Sequence, residues 1–332
     1  MAHTIAILST IPKLSYHIRM QLPKSTICDV SPVSKDQNDT LSELKCADII
    51  VTDCDLFLPY MDKLPSLKWV QTTWAGIETF VSRLQNNKKS NYVITRFSDK
   101  AFGFAMSEYV TAHIFNFERD QRQQYEQQRN CNWEKSGKIS NHRLICDLSV
   151  GILGLGNIGK SICLILAVGQ KLKTFGATVW GITRTPLKEK LDYIDEHRTI
   201  ESLPEMLTHC DYIVNVLPST PNTIGLLNGN VLQNCKNRGS VFINIGRGTI
   251  INEVDLLNAI QQQWISGAIL DVFEEEPLSK DSKLWSMPQV TISPHISGVT
   301  RPQDVGRLFA ENYQRFIKGE TLLNTVNLQE AY

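Results

Sequence analysis

The segment VGILGLGNIGKSICLILAVGQKLKTFGATVWGITRT, residues 150–185, decides the fold expected for this chain. Its glycines follow a predicted strand and open a predicted helix, the context that makes a glycine-rich turn informative. The first glycine permits a tight turn, the second lets the backbone approach a pyrophosphate, and the third lets helix and strand pack closely. The pyrophosphate would rest on free N–H groups where the helix begins. We therefore predict a dinucleotide site at Gly154, Gly156, Asn157, Ile158 and Gly159, against the alternative of a turn that serves only packing.

The end of the next strand indicates which dinucleotide is used. An acidic residue about 20 positions after the glycines normally binds the ribose 2′-hydroxyl of NAD. Here the strand ATVWGIT ends at Thr183 and continues into Arg184. No carboxylate is present there to repel a 2′-phosphate, and a guanidinium is available to bind one. The sequence thus favours NADP and leaves NAD possible, although an ordinary exposed arginine would give the same pattern.

Composition narrows the functional classes. The chain has 332 residues, enough for two domains, and its 34 Lys and Arg balance 34 Asp and Glu. Because the charges balance, the chain has no net electrostatic attraction to nucleic acid or to a membrane surface, and neither is expected as a partner. The cysteines are scattered without a C-x-x-C pair, which is typical of reduced thiols in a cytoplasmic protein. The longest apolar run falls far short of the roughly 20 residues that a membrane-spanning helix needs, and no metal site is expected.

Short apolar runs alternate with longer helical segments along the whole chain, which predicts α/β layers on parallel sheets. The first series of strands is expected at residues 4–8, 47–53, 67–73 and 92–97. The second series is expected at residues 149–156, 177–183, 212–218, 240–246, 265–273 and 289–295. Between the two series, residues 105–128 predict one long helix whose apolar face is confined to its first half. Further helices are expected at residues 203–210, 252–260 and 303–319.

Four motifs follow the glycine-rich turn: LPSTPNTIGLLN (217–228), FINIGRGTIINEVDLLNAI (242–260), AILDVFEEEPL (268–278) and ISPHISGVT (292–300). In this order they resemble the signatures of the D-isomer-specific 2-hydroxyacid dehydrogenases. The earlier segment LKWVQTTWAGIE (67–78) is most similar to the glyoxylate/hydroxypyruvate reductase branch. The resemblance implies two Rossmann-like or flavodoxin-like domains with doubly wound parallel sheets. It places a substrate domain at 1–103 plus 299–332, with a cofactor domain, 104–298, inserted between these parts.

Three side chains fit the reduction of a 2-oxo acid, which needs a cation for the carboxylate and a proton donor for the carbonyl oxygen. Arg247 lies in NIGRG after a predicted strand, and a planar guanidinium matches a carboxylate. His295, in SPHIS, also follows a strand and can donate a proton near neutral pH. A carboxylate bound to its ring would favour the imidazolium. The resemblance selects Glu276, directly before Pro277, as that carboxylate.

The resemblance also assigns the remaining site residues. It implies that Asp271 holds the nicotinamide carboxamide, although a residue that only caps its strand would look the same. It implies that the N–H groups of Ala75, Gly76 and Ile77 bind the substrate carboxylate opposite Arg247. Trp133 corresponds either to an aromatic that relatives insert into the neighbouring subunit's site or to a simple packing residue. The remaining residues that it implies for cofactor binding are Leu217, Pro218 and Ile245.

These expectations combine into one functional hypothesis. The chain is expected to reduce a small 2-oxo acid, of the glyoxylate or hydroxypyruvate class, to the D-2-hydroxy acid with NADPH, and to form a homodimer. Relatives that oxidise formate carry glutamine where Glu276 stands, and Arg184 disfavours a phosphoglycerate dehydrogenase. A catalytically impaired homologue or a nucleotide-sensing binding protein of the same fold would keep Arg247, Glu276 and His295, so both remain open.

The run Cys163–Val168, CLILAV, departs from the family pattern, which takes about six fewer residues between the glycines and the next strand. Six residues add about 9 Å of helix and turn the following face by about 600°, which is about 120° short of two full turns. The run is therefore expected either to cost stability or to extrude as an apolar protrusion after the first helical turn.

Overall fold

The chain forms two compact units. The computed structural model describes residues 3–32, 36–77, 80, 83, 92–155, 162–186 and 189–326. The first unit combines Met1–Asp99 with Thr300–Tyr332, and the second, Lys100–Val299, is inserted between these parts. The division falls at residue 100 and not at 104, because helix Lys100–Glu118 lies as a whole in the second unit.

The first unit is built on a parallel sheet of five strands. The strands are Thr4–Leu8 (β1), Thr26–Asp29 (β2), Ile49–Thr52 (β3), Trp69–Thr72 (β4) and Val93–Thr95 (β5). Their order is β2-β1-β3-β4-β5, and every pairing is parallel. The helices that the structure describes in this unit are Leu14–Gln21, Gln37–Leu44, Cys54–Phe57 and Pro302–Lys318.

The C-terminal helix is part of the core of the first unit. Phe309 and Phe316 stack on Trp69 of β4, with ring centroids 5.0 and 5.5 Å away. The same helix lies so close to helix Leu14–Gln21 that a Cβ on Gly306 would be 3.2 Å from the backbone of His17. Aromatic packing and a glycine contact therefore join the end of the chain to its beginning.

The second unit is built on a parallel sheet of seven strands, which confirms the predicted α/β class with two parallel sheets. The strands are Ser149–Leu155 (β6), Thr178–Thr183 (β7), Glu196–Thr199 (β8), Tyr212–Asn215 (β9), Val241–Asn244 (β10), Gly267–Leu270 (β11) and Val290–Ile292 (β12). Their order, β12-β11-β10-β9-β6-β7-β8, changes direction between β6 and β9. The helices are Lys100–Glu118, Gln121–Arg129, Ile162–Thr174, Leu203–His209 and Glu253–Gln261.

The structure departs from the sequence-based expectation at two edge strands and at one long helix. β2 and β8 have no predicted counterpart, because both are edge strands with mostly polar side chains that are not fully buried. The single helix predicted at 105–128 is wrong. It is two helices separated at Asp120, whose φ of 49° is left-handed and cannot continue a helix.

The apolar run Cys163–Val168 lies within helix Ile162–Thr174, so the expected apolar protrusion is wrong. Val168 and Leu172, one helical turn apart, are buried in a cluster with Val150 and Ile152 of β6. The predicted cost in stability stays a prediction. Among the described residues, no helix combines the length and the apolar character needed to cross a bilayer.

A buried charge network connects helix Lys100–Glu118 to the sheet of the second unit. Glu118 accepts two hydrogen bonds from Arg143, at 2.6 and 3.1 Å, and one from the Tyr212 hydroxyl at 2.6 Å. Arg143 also donates to Asp211 at 2.6 Å, and Arg238 donates to the other oxygen of Asp211 at 2.9 Å. Burial by itself would raise the pKa of Glu118, but the bonds from Arg143 and Tyr212 outweigh it and lower the pKa below the ordinary 4.5. Glu118 is thus ionised at neutral pH.

Replacing Arg143 by methionine is expected to lower the free energy of unfolding by about 3 kcal/mol, because it leaves two buried carboxylates without their shared cation. This value is at the lower end of the range for breaking a buried ion pair, because the Arg143 side chain is itself 42% exposed. The folded pKa of Glu118 is depressed, so its contribution is complete above pH 4.5 and is lost as the pH falls further. Urea unfolding at neutral and acid pH measures both effects.

Arg198→Met is the matched control for that substitution. Arg198 pairs with Glu196 and Glu205 in the same unit, but all three side chains are at least one-third exposed. Such surface pairs contribute about 0–1 kcal/mol. Equal destabilisation by the two substitutions would show that burial of the Arg143 network contributes nothing.

Candidate active site

Three of the predicted site residues of the second unit follow three neighbouring strands. Arg247 comes after β10, Asp271 directly after β11, and His295 after β12. The three strands are adjacent and parallel, so their carboxyl ends meet at one edge of the sheet. Doubly wound sheets bind their ligands at this edge. Residues far apart in the sequence therefore emerge on the same side of the unit.

The side chains of His295 and Glu276 form a hydrogen-bonded pair. The ring Nδ1 of His295 lies 2.7 Å from Oε2 of Glu276. The other carboxylate oxygen, Oε1, accepts the backbone N–H of Phe273 at 2.9 Å, which fixes the carboxylate. The His295 side chain is 50% exposed. Because Glu276 engages Nδ1, Nε2 is the ring nitrogen that can exchange a proton with a ligand.

Asp271 organises the segment that carries His295. Its buried carboxylate accepts the Ser293 hydroxyl and the N–H of Ile296 at Oδ1, and the N–H of Ser297 at Oδ2. Its main-chain carbonyl accepts the N–H of His295 at 2.9 Å. These bonds hold His295 at a left-handed φ of 54°. A carboxylate accepts about four hydrogen bonds, so Oδ2 keeps capacity for one more.

Tyr109 extends this network and was not predicted from the sequence. Its hydroxyl lies 2.6 Å from Ser293 Oγ, which itself donates to Asp271. Ser293 has only one hydrogen, so Tyr109 must be the donor in their shared bond. Burial raises the pKa of Tyr109 to about 12, which keeps the phenol protonated for this bond. No sequence motif indicates this contact, because it depends on how helix Lys100–Glu118 packs on the sheet.

The loop that carries Arg247 is held by two glycines. A Cβ on Gly246 would lie 2.7 Å from the carbonyl oxygen of Leu217, and one on Gly248 would lie 1.8 Å from the carbonyl carbon of Phe273. The Arg247 guanidinium donates to the Gly246 carbonyl at 2.8 Å. The backbones of the Arg247 and Glu276 loops therefore touch at Gly248, and only glycine fits between them.

The dinucleotide side of the same edge includes Gly154, at the end of β6. Its φ is 128°, and an added Cβ would lie 2.9 Å from Val216 Cγ2 and 3.3 Å from the Leu217 nitrogen. Pro218 follows on the same loop, where its carbonyl accepts the Thr223 hydroxyl. Ile245, which follows β10, is buried. Gly156, Asn157, Ile158 and Gly159 lie outside the described residues.

β7 ends at Thr183, as the sequence predicts, and Arg184 follows it. Thr183 is buried, and its hydroxyl lies 2.7 Å from Nε2 of His197 on the adjacent β8. Burial and the nearby Arg198 lower the pKa of His197, so the imidazole that contacts Thr183 is neutral at physiological pH. Arg184 is exposed. The close backbone at Gly154 and the absence of an acid at the end of β7 both fit a phosphorylated dinucleotide.

In the first unit, Ala75, Gly76 and Ile77 follow β4. The backbone carbonyl groups of Trp74, Ala75 and Gly76 accept hydrogen bonds. The Trp74 carbonyl accepts the Thr72 hydroxyl and the Phe97 N–H. The Ala75 carbonyl accepts from the Arg96 guanidinium, and the Gly76 carbonyl accepts from the Cys54 thiol. Among the hydrogen bonds of the described residues, none has the N–H of Ala75, Gly76 or Ile77 as its donor. The segment thus combines satisfied carbonyl groups with a row of available donors.

Trp133 lies in the second unit, beyond helix Gln121–Arg129. Its side chain is 93% exposed, so it is not a packing residue of this chain. The alternative, that it contacts a neighbouring subunit, stays a prediction.

A parallel sheet with a glycine-rich first turn and a His–Glu pair at its carboxyl edge defines a dinucleotide-dependent oxidoreductase. Residues 111–297 match the family model for the NAD-binding domain of the D-isomer-specific 2-hydroxyacid dehydrogenases. A solved family protein from Aeromonas salmonicida is 30% identical, covers 99% of this chain and 100% of its own, and superposes with a TM-score of 0.86.

Two further solved structures are similar over nearly the whole length. A D-isomer-specific 2-hydroxyacid dehydrogenase from Xanthobacter autotrophicus, in complex with NADPH and MES, is 26% identical with full coverage of both chains and a TM-score of 0.83. An NADPH-dependent glyoxylate/hydroxypyruvate reductase from Sinorhizobium meliloti is 25% identical, with coverage of 99% and 100% and a TM-score of 0.81. The chain belongs to the D-isomer-specific 2-hydroxyacid dehydrogenase family. It is an NAD(P)-dependent oxidoreductase of the class that acts on CH–OH groups.

Proposed function

We propose that this protein reduces a small 2-oxo acid of the glyoxylate or hydroxypyruvate class to the D-2-hydroxy acid, with NADPH as the reductant. The observation that carries the proposal is the 2.7 Å contact between His295 Nδ1 and Glu276 Oε2, at the same edge of the sheet as Arg247. A proton donor and a carboxylate-binding cation are the two groups that the reduction needs from the protein. The similar reductase from Sinorhizobium meliloti supports this substrate class.

Each residue has a defined task in the proposed reaction. Arg247 binds the substrate carboxylate as a planar bidentate donor. The N–H groups of Ala75, Gly76 and Ile77 bind that carboxylate as well. His295 gives the proton on Nε2 to the carbonyl oxygen, and Glu276 stabilises the imidazolium before transfer and keeps the ring oriented. The nicotinamide, when bound, supplies the hydride that reaches the carbonyl carbon.

The cofactor is assigned to the edge around the change of strand order. Gly154, Gly156, Asn157, Ile158 and Gly159 would hold the pyrophosphate. The free acceptor site on Oδ2 of Asp271 would take the nicotinamide carboxamide. Thr183 and Arg184 would bind the ribose of NADP that carries the 2′-phosphate. The remaining contacts are assigned to Leu217, Pro218 and Ile245.

Replacing Arg184 by aspartate is expected to reverse the cofactor preference toward NADH. The change removes the cation for the 2′-phosphate and adds a carboxylate that repels it and can accept the ribose 2′-hydroxyl. Loss of one charge-assisted contact predicts a KM for NADPH about tenfold higher or more, with a smaller change for NADH. Arg184→Gln separates the two effects, since it removes the cation without adding the acid. Unchanged selectivity in both variants would refute the role of Arg184.

NADPH oxidation in the presence of glyoxylate, hydroxypyruvate and pyruvate tests the function as a whole. The purified chain is expected to consume NADPH with glyoxylate and hydroxypyruvate, and more slowly or not at all with NADH. Absence of turnover with all three acids and both cofactors would overturn the proposal. The exposed Trp133 supports extending the proposal to a homodimer, which sedimentation of the wild type and of Trp133→Ala tests.

A further inference from the structure

The carboxylate of Asp53 joins three loops at one edge of the first unit's sheet. Asp53 directly follows β3 and is only 2% exposed. Its Oδ1 accepts the hydroxyls of Ser9 at 2.6 Å and Thr73 at 2.7 Å. Its Oδ2 accepts the N–H and the hydroxyl of Thr10, both at 2.7 Å. Ser9 and Thr10 follow β1, and Thr73 follows β4, so one carboxylate holds the ends of three adjacent strands.

These four bonds leave Asp53 no capacity for a ligand. An ionised carboxylate offers about four acceptor sites, and the four donors occupy them. The group is also buried, so it does not meet solvent. Asp53 therefore acts within the protein, at the carboxyl edge where sheets of this kind bind their ligands.

Thr73, which follows β4, connects Asp53 to the proposed substrate-binding segment. Thr73 is followed at once by Trp74 and then by Ala75–Ile77, the residues whose N–H groups are available. The N–H of Thr73 also bonds the Thr52 carbonyl at 3.0 Å, so backbone and side chain both fix this residue. The direction in which the chain leaves β4, and with it the direction of those N–H groups, depends on this anchor.

Asp48 provides a natural comparison at the other edge of the same sheet. It directly precedes β3 and accepts the N–H of Thr4 at 3.0 Å and the Lys68 ammonium at 2.7 Å. It therefore joins the beginnings of β1, β3 and β4, as Asp53 joins their ends. The proposed site uses no residue at that edge.

We propose that Asp53, acting through the Thr73 hydroxyl, is the positioning residue that directs the carboxylate-binding N–H groups of Ala75, Gly76 and Ile77. The inference rests on the proposed function, since it assigns a task to the segment that the proposal uses. Hydrogen bonds weaken steeply as the donor angle departs from linear, so a small rotation of the segment reduces its hold on an anion. The substrate carboxylate keeps its charge throughout the reaction, so the loss falls on ground state and transition state alike. The affected quantity is KM for the 2-oxo acid and not kcat.

The test compares Thr73→Val, which deletes the hydroxyl at nearly constant shape, with Thr73→Ser, which keeps it. Steady-state kinetics with glyoxylate and the Kd for NADPH are measured for both, for Asp53→Asn and for the control Asp48→Asn. Thr73→Val is expected to raise KM for glyoxylate about five- to tenfold, the order expected when charge-assisted bonds are weakened and not lost. We expect kcat and the Kd for NADPH to stay within about twofold in that variant, and Thr73→Ser and Asp48→Asn to match the wild type.

A second measurement does not depend on turnover. Sodium oxalate is titrated into the ¹⁵N-labelled protein while the amide resonances of Ala75, Gly76 and Ile77 are followed. Thr73→Val is expected to need several-fold more oxalate for half-maximal shift, and Thr73→Ser to behave as the wild type. The inference is overturned if Thr73→Val binds glyoxylate and oxalate like the wild type, if Thr73→Ser fails to restore binding, or if Asp48→Asn has the same effect. A wild type that binds oxalate at these amides but reduces no 2-oxo acid would overturn the proposed function and leave this inference supported.

Discussion

Replacing His295 by asparagine is expected to lower kcat by about 10²–10⁴-fold, the usual contribution of a positioned general acid. The Kd for NADPH is expected to change little, because the imidazole is assigned to the substrate carbonyl. Asparagine is the substitution of choice because His295 has a φ of 54°, and asparagine tolerates left-handed backbone better than most residues. Stopped-flow reduction of glyoxylate with preloaded NADPH isolates the chemical step.

Two variants make the His295 prediction specific. Glu276→Gln keeps a hydrogen-bond partner at the ring but removes its charge, so kcat is expected to fall by about 10- to 100-fold, the value of a charged hydrogen bond. His209→Asn is the control, because His209 is an exposed histidine of the same unit that ends helix Leu203–His209 away from the proposed site. Retention of more than about a tenth of wild-type kcat in His295→Asn would remove His295 from the role of proton donor.

Replacing Gly248 by alanine is expected to impair folding and activity together. The new Cβ would lie 1.8 Å from the carbonyl carbon of Phe273, 2.0 Å from its oxygen and 2.4 Å from the nitrogen of Glu274. All three are backbone atoms, so the two loops must separate. Overpacking usually costs about 1–3 kcal/mol, and a backbone collision belongs at or above the upper end. Because these loops carry Arg247 and Glu276, kcat/KM for glyoxylate is expected to fall at least about 100-fold, since a misplacement near 1 Å has that effect.

Gly229→Ala is the control for the Gly248 substitution. Gly229 lies in the same unit with no atom within 4 Å of an added Cβ, although its φ of 67° makes alanine strained. That strain costs about 1–2 kcal/mol and is not transmitted to the proposed site. Thermal unfolding and steady-state kinetics of both variants measure the difference. A Gly248→Ala enzyme with wild-type kcat/KM would show that the contact with Phe273 does not position the two loops.

The central strands of both sheets could be predicted because they are buried on both faces and therefore appear as continuous apolar runs. β1 matches its predicted bounds, and β6, β7, β9 and β10 lie within theirs. β2 and β8 could not be found in this way, since an edge strand such as EHRT is held by backbone pairing and carries no apolar pattern. The break between the two helices at Asp120 could not be predicted either, because the surrounding residues are polar and favour neither a continuous nor an interrupted helix.

For the site, the sequence by itself indicated which residues to propose for the chemistry. Arg247 and His295 could be selected because each follows a predicted strand, and Arg184 because an acid is missing there. Glu276 was selected by the family resemblance. The contacts of these residues were decided only by the tertiary structure. The Tyr109–Ser293–Asp271 chain, the touching backbones at Gly248 and the Asp53 carboxylate between three loops all join residues from separate segments. A motif records the functional group that a reaction needs, whereas hydrogen bonds between distant segments exist only once parallel strands bring their carboxyl ends to a common edge.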